Sequence, residues 1–283
     1  MLGHDVARAG ERAGHELVLV DLPELDITDA DAVDAMLGGL ASDGGLDGVV
    51  NCAAWTDVDG AEEKAQEARA VNADGAGVLA RGAAAAGVPL VHVSTDYVFD
   101  GTAPLDEHGT PRPYLERDPT GPRSVYGITK LEGEQQVLSA SRRHAVARTA
   151  WLYGLDGANF VATMLRLASE REAVEVVTDQ VGSPTWSGHL APALLGLLER
   201  GVSGLAHLTG GGHVSWNGFA REIFRQAEVD CEVEPTTSEQ FQRPAPRPAW
   251  SALESEREDV LPLPPWQDGL AGYLAARAGM MRS

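Results

Sequence analysis

The sequence predicts an α/β protein built on a doubly wound, mainly parallel sheet. Three observations carry that expectation. Short β-branched runs alternate with alanine-rich helical stretches through the first half of the chain. Those runs are continuously apolar, as strands are when helices cover both of their faces. The chain of 283 residues, 43% hydrophobic and 23% charged, is long enough for a sizeable core.

Taken in order, Glu16–Asp21 reads as a strand, and Asp29–Leu40 as a helix with Thr28 as its N-cap. The valine-rich run Leu46–Cys52 is a strand. Glu62–Val71 and Gly77–Ala86 read as helices, Val88–Ser94 as a strand, Gly127–Ala140 as a helix and Arg143–Thr149 as a further strand. The second half is less regular. Ala158–Glu170 reads as a helix, Ala173–Val177 as a strand, His189–Arg200 as an amphipathic helix and Gly204–Leu208 as a short strand. Ser215–Ala227 reads as a helix beginning at Ser215 or Asn217, and the proline-rich stretch from Thr236 to Pro265 as mostly loop. Residues 1–149 are thus expected to form one domain, and residues 150–283 mainly a smaller cap interleaved with the sheet.

Composition excludes several classes. A net charge of −20 argues against nucleic-acid binding, which needs a basic face. No run of about 18 apolar residues is present, so no membrane span is expected. The N-terminus lacks the basic-then-apolar layout of a signal peptide. Two cysteines, Cys52 and Cys231, make no disulfide framework or zinc pattern, and no catalytic metal is expected. Cys52 reads as a buried core thiol, and a reducing cytoplasm fits this cysteine usage.

The chemistry-bearing signal is Tyr126-Gly127-Ile128-Thr129-Lys130. Tyrosine and lysine four apart share one helix face. A nearby ammonium lowers a phenol's pKa, and a tyrosine so tuned exchanges protons with a carbonyl or alcohol oxygen. Alone the spacing is weak. A strand ending in Ser94-Thr95-Asp96 places hydroxyls and an acid where open α/β sheets bind ligands, beyond the carboxyl ends of strands. Taken alone, these are also ordinary strand-end turn residues. Ala53 and Ala54 follow another strand and let a flat ligand approach the backbone, although small residues also serve core packing.

These segments carry a resemblance. N-C-A-A-W-T-D-V-D (Asn51–Asp59), V-N-A-D-G-A, S-T-D-Y-V-F-D-G and Y-G-I-T-K-L-E-G-E resemble the extended short-chain dehydrogenase/reductase superfamily. R-T-A-W-L-Y-G (Arg148–Gly154), N-F-V-A-T-M-L-R-L-A, T-D-Q-V-G-S-P-T, S-W-N-G-F-A-R-E-I-F and R-P-A-W-S-A-L narrow it to the dTDP-4-dehydrorhamnose reductases. The similarity runs from Gly3 to about Gly272. It implies a Rossmann-like sheet with a substrate-binding cap, NADPH or NADH as cofactor, a dTDP-sugar as substrate, and room for a homodimer. The implied reaction reduces the C4 keto group of a dTDP-4-keto-6-deoxy sugar, giving dTDP-L-rhamnose. Thr95, Tyr126 and Lys130 match the catalytic hydroxyl, tyrosine and lysine. Gly3, Asp26, Ile27, Ala53, Ala54 and Trp55 match cofactor contacts, with Tyr126 and Lys130. Thr95, Asp96, Trp151 and Arg247 match substrate contacts. Asp21, closing its strand, would favour NADH by accepting from a ribose hydroxyl, but Asp26 is the better match to the adenine side. A reductase of another dTDP-4-keto sugar and a non-catalytic nucleotide-binding subunit share the fold and stand as alternatives.

Two departures accompany the resemblance. The family begins with a strand and a G-x-x-G-x-x-G turn, whereas here only Gly3 corresponds to it. The first strand and most of the turn are therefore expected to be missing, with Met1 an internal methionine of a longer reading frame. Thr102–Pro113, with three prolines, is expected to be a surface insertion near the site mouth.

Overall fold

The computed structural model describes residues 1–42 and 44–280. The chain enters directly into α1 (Leu2–Ala13), which stops at Gly14. That glycine takes φ 84°, a left-handed conformation that suits a residue without Cβ. Helix α2 (Ala30–Ser42) and strand β1 (Val49–Asn51) follow. Next come α3 (Val58–Glu63), α4 (Ala65–Arg69), a π-turn at Ala70–Gly75 and α5 (Ala76–Ala85), which form one nearly continuous helical run. Strand β2 (Leu90–Thr95), helix α6 (Val125–Ala140) and strand β3 (Ala145–Thr149) complete the first half.

The second half contains β4 (Leu152–Tyr153), α7 (Phe160–Ala168), β5 (Ala173–Val177), β6 (Val181–Gly182), β7 (Thr185–Trp186) and α8 (Ser187–Glu199). It continues through β8 (Gly204–His207), β9 (Val214–Ser215), α9 (Trp216–Gln226), β10 (Glu232–Thr236) and α10 (Trp266–Met280).

The central sheet is parallel, in the order β1-β2-β3-β8. Strand periodicity explains why both of its faces are dry. Val91, Ala145 and Ala147 point into a core closed by α1 and α8, through Leu2, Val6, Leu190 and Leu194. Leu90 and Val146 point the other way, into a core of Val33, Leu37, Leu79, Ala83 and Val137 from α2, α5 and α6. A third core holds the cap together: Val161, Met164, Val174, Val233, Phe219, Ile223, Leu270 and Tyr273 join α7, the parallel pair β5–β10, α9 and α10. Because α8 and β8 return to the central sheet, the two halves are interleaved. No helix among the described residues is long and apolar enough to cross a membrane.

Several expectations are corrected. Glu16–Asp21 is not a ladder strand. It is extended chain, with Val18 63% and Leu19 56% exposed, because no described strand lies beside it to share hydrogen bonds. The sheet instead opens at β1. Thr28 is not the cap of α2: its hydroxyl donates to Asp26, and Asp29 accepts from the Ala32 N–H at 3.1 Å in its place. Cys52 is intermediate in exposure and packs against the core closed by α1 and α8, as its apolar run implies. The Thr102–Pro113 stretch folds back on itself through a Leu105–Pro111 bridge. It is tied to the tail by Trp250, whose indole donates to the Arg112 carbonyl, and contributes no residue to the lining of the cleft described below. Helix α10 went unforeseen. Its apolar positions 266, 270 and 273 are helical in spacing, but three glycines and a proline-rich approach weaken the local signal.

The closest packing that matters for function lies between α6 and the π-turn. Gly133 faces the Asn72 carbonyl so closely that a Cβ there would overlap it. Gly133→Ala is therefore expected to lower unfolding free energy by about 1–3 kcal/mol, read by urea denaturation. An unchanged midpoint would show that α6 has room to move.

Candidate active site

A cleft of about 540 Å³ opens at the carboxyl ends of β1, β2 and β3. Thr95, Asp96, Tyr126, Lys130, Ala54 and Trp151 all line it, with Met1 and Leu2 of α1 at one side and Gln180, Trp216 and Pro248 of the cap at the other. Sequence positions far apart are thus brought to one wall by the parallel topology.

Each functional side chain has a local cause. Strand β2 ends at Thr95, whose Oγ1 accepts from the Tyr97 N–H at 3.2 Å and donates to Asp96 Oδ1 at 3.0 Å. Ser124 caps α6 by accepting from the Gly127 N–H at 3.1 Å. Gly127 packs on the Tyr97 carbonyl, where no Cβ would fit, so the first turn of α6 lies against the strand end. Tyr126 is thereby set edge-on to Tyr97, with ring centroids 5.6 Å apart. One turn later, Lys130 points inward: Nζ donates to the Val93 carbonyl at 2.7 Å and lies 3.1 Å from His92 Nε2.

Electrostatics revise the simple picture of a lysine tuning a tyrosine. Burial pushes the Tyr126 phenol up to about 12, and only its hydrogen bond with Thr95 opposes that. Burial pulls Lys130 down to about 8, against the pull of Glu134 and Cys52. The expected lowering of Tyr126 by the ammonium is absent because Lys130 is engaged with β2. A phenol held neutral suits a proton donor, since it remains protonated across the neutral range. Cys52 is likewise raised to about 12 by burial, so it is a thiol rather than a nucleophile.

Asp96 is buried at 3% exposure, and burial raises its carboxyl from 3.8 to about 6. Among the described residues no hydrogen bond within normal geometry reaches its Oδ2 or the hydroxyl of Thr149 on the same wall, although the nearby Ser251 hydroxyl partly offsets the effect of burial on Asp96. A raised carboxylate pKa means that the protonated form favours the fold at low pH. That contribution fades as the pH climbs through about 6. Asp96→Asn is therefore expected to raise stability at neutral pH by about 2–3 kcal/mol, with the gain vanishing below about pH 4. Denaturation curves at the two pH values check this, and an equal effect at both would contradict it.

The supporting residues were not foreseen. Asn72, in the π-turn, accepts from the Trp55 N–H at 2.8 Å and donates to the Trp55 carbonyl and to Thr129 of α6. It clamps the loop after β1 to α6. Glu134 receives two bonds from Arg148, at 2.8 and 2.7 Å, and one from Ser94 at 2.6 Å, all buried. That cluster ties α6 to β2 and β3. V-N-A-D-G-A and R-T-A-W-L-Y-G contain Asn72 and Arg148, but a lone asparagine or arginine in a motif does not announce its partner.

Of the other anticipated residues, Trp151 is on the cleft wall, and Gly3, Asp26, Ile27, Ala53, Trp55 and Arg247 lie outside its lining. Asp26 is exposed and held ionised below the usual carboxylate range by the Thr28 N–H and hydroxyl. Ile27 packs into the α2–α5 core beside Gly75. Gly3 is half-buried on α1 near Leu19. Ala53 is exposed and donates its N–H to Asn51. Trp55 donates its indole N–H to the Asp57 carbonyl. Trp151, at φ 46°, stacks on Trp216 with centroids 3.4 Å apart. Arg247 pairs with Asp59 at 2.9 Å and lines an adjoining pocket of about 340 Å³. Gln180 and Trp216 line both spaces. Among the described residues, no cluster of metal-ligating side chains occurs.

The family described as the RmlD substrate binding domain matches residues 1–278. The chain is 46% identical to a dTDP-4-dehydrorhamnose reductase of Mycobacterium tuberculosis (strain CDC 1551 / Oshkosh), over 98% of this chain and 90% of that protein. Among solved structures, a dTDP-4-dehydrorhamnose reductase from Clostridium acetobutylicum is similar at TM-score 0.88 and 38% identity. The match covers 97% of this chain and 95% of that one. One from Bacillus anthracis, in complex with NADP, is similar at TM-score 0.90 and 33% identity, with the same coverage.

Proposed function

The chain belongs to the RmlD substrate binding domain family, and on that premise we propose that it reduces dTDP-4-dehydrorhamnose to dTDP-L-rhamnose with NADPH. The observation that carries the reading is the convergence of Thr95, Tyr126 and Lys130 on one cleft beyond the sheet.

The residues present fit a dinucleotide. Two buried polar atoms on the cleft wall, Asp96 Oδ2 and Thr149 Oγ1, lack hydrogen-bond partners among the described residues, and Cys52, Ala54 and Ala150 offer little bulk along it. Ala53–Trp55, Lys130 and the N-terminal end of α1, with Gly3, would hold the dinucleotide. Exposed Asp26, with Ile27 beside it, would face its adenine end. When bound, NADPH supplies the reducing equivalent to the sugar's C4.

The protein's own residues do the rest. Tyr126, neutral because burial holds its pKa up, gives its phenolic proton to the C4 oxygen as negative charge develops there. Thr95 donates a second hydrogen bond to that oxygen, which requires its hydroxyl to leave Asp96. Asp96 accepts from a sugar hydroxyl through its unpartnered oxygen. The Trp151–Trp216 stack provides a flat apolar wall that excludes water from the reacting carbon. Arg247, in the adjoining pocket, meets the diphosphate side of the nucleotide sugar. Residues 1–149 accordingly serve the dinucleotide and residues 150–283 mainly the sugar nucleotide, with α8 and β8 lent back to the sheet.

Substrate discrimination tests the reading. NADPH oxidation is expected to be fastest with dTDP-4-dehydrorhamnose and slower with its 4-keto epimers, the product being identified by proton NMR. Equal or faster turnover of an epimer would reassign the enzyme to another dTDP-4-keto sugar.

A further inference from the structure

The mechanism above leaves one buried titratable group unused. His92, fully buried in β2, lies behind Lys130 and away from the reacting atoms. Its surroundings fix its protonation by elimination. Asn51 at the end of β1 accepts from the Ala53 N–H at 3.0 Å through Oδ1. Reversing that amide would set two donors against each other, so Nδ2 is the atom facing His92. Nδ2 lies 3.0 Å from His92 Nδ1 and can only donate, which makes Nδ1 the acceptor. A neutral imidazole then carries its proton on Nε2. That nitrogen is 3.1 Å from Lys130 Nζ. An ammonium has three N–H groups and no lone pair, so it would oppose N–H to N–H. A neutral amine accepts from Nε2 and still donates to the Val93 carbonyl at 2.7 Å.

The geometry points to His92 as a positioning residue that, locked by Asn51 in its Nε2–H form, favours the neutral amine of Lys130 against β2, so that an anionic dinucleotide recruits the lysine with uptake of a proton. The other ionisable groups around Lys130 agree with this balance. On its own helix Glu134 attracts positive charge, but it is already neutralised by Arg148 of β3. From the loop after β1 faces Cys52, which burial keeps as a thiol. From β2 faces His92, which burial keeps neutral, well below its ordinary value. Desolvation thus outweighs the attractions, and Lys130 falls to about 8. The phosphates of a bound dinucleotide act in the opposite sense, favouring the ammonium.

This inference deepens the reductase reading, yet its test uses the protein without substrate and stands apart from turnover. The sequence has only two lysines, and Lys64 is exposed, so a ¹³C-lysine spectrum holds one signal for each. Long-range ¹H–¹⁵N imidazole spectra of the dinucleotide-free protein are expected to show His92 as the Nε2–H tautomer. The Lys130 Cε signal is expected to titrate near 8. Asn51→Leu removes the lock, so His92 is free to accept at Nε2 and the lysine midpoint is expected to rise by about one unit or more. If that variant does not fold, His92→Gln, whose carboxamide oxygen accepts from an ammonium, is expected to shift the midpoint the same way. Calorimetry of NADPH binding just above the wild-type midpoint, in buffers of different ionisation heat, is expected to show net proton uptake. An Nδ1–H tautomer in the wild type, a midpoint the variant leaves in place, or binding without proton uptake each overturns the proposal.

Discussion

Tyr126→Phe is expected to lower kcat about 100- to 10,000-fold, the contribution of one positioned proton donor. The substitution removes only the hydroxyl. The ring keeps its edge-on contact with Tyr97, so the first turn of α6 and the cleft wall stay in place. NADPH affinity, measured by fluorescence titration, should remain close to wild type, and KM for the sugar should change little. Loss of NADPH binding alongside kcat would instead mark Tyr126 as a structural part of the pocket. Thr95→Val is expected to give a smaller loss in kcat, because it removes a supporting hydrogen bond rather than the proton.

Breaking the buried Glu134–Arg148 pair is expected to be the most damaging change to stability. Both side chains are 2% exposed, and a bidentate pair of hydrogen bonds joins them between α6 and β3. Glu134→Ala leaves a guanidinium in the core with no carboxylate, at a penalty of about 3–5 kcal/mol. The double variant Glu134→Leu with Arg148→Met removes both charges and should recover most of that loss in urea unfolding. The pair's value is then one of register. Glu134 also accepts from Ser94, one residue before Thr95, so the cluster fixes how far along β2 the helix bearing Tyr126 and Lys130 sits. A double variant that is stable but slow would separate that positional role from stability.

Much of the sheet was legible because its strands are valine-rich and its helices capped. Ala145–Thr149 and Ala173–Val177 fall inside or on the expected runs, and Ser215 does cap α9 by accepting from the Gly218 N–H. The failures have physical causes. Val18 and Leu19 carry a strand's composition, but a strand exists only when a neighbour shares its hydrogen bonds, and none of the described residues does so. Asp29 displaced Thr28 as a cap because Thr28 was already bound to Asp26. At the site, Y-x-x-x-K located the right helix face but misjudged the coupling, since spacing along a helix does not reveal that Lys130 turns to His92 and Val93. Asn72, Glu134 and Arg148 escaped for a related reason: their roles rest on partners 14 to 57 residues away.

The most direct test follows a label from cofactor to product. NADPH deuterated at the transferring position of its nicotinamide is incubated with dTDP-4-dehydrorhamnose and the wild-type protein, and the sugar is read by NMR. Deuterium at C4 of dTDP-L-rhamnose, with Tyr126→Phe giving little labelled product in the same time, is the result the account predicts. An unlabelled C4, or equal labelling by Tyr126→Phe, would contradict it.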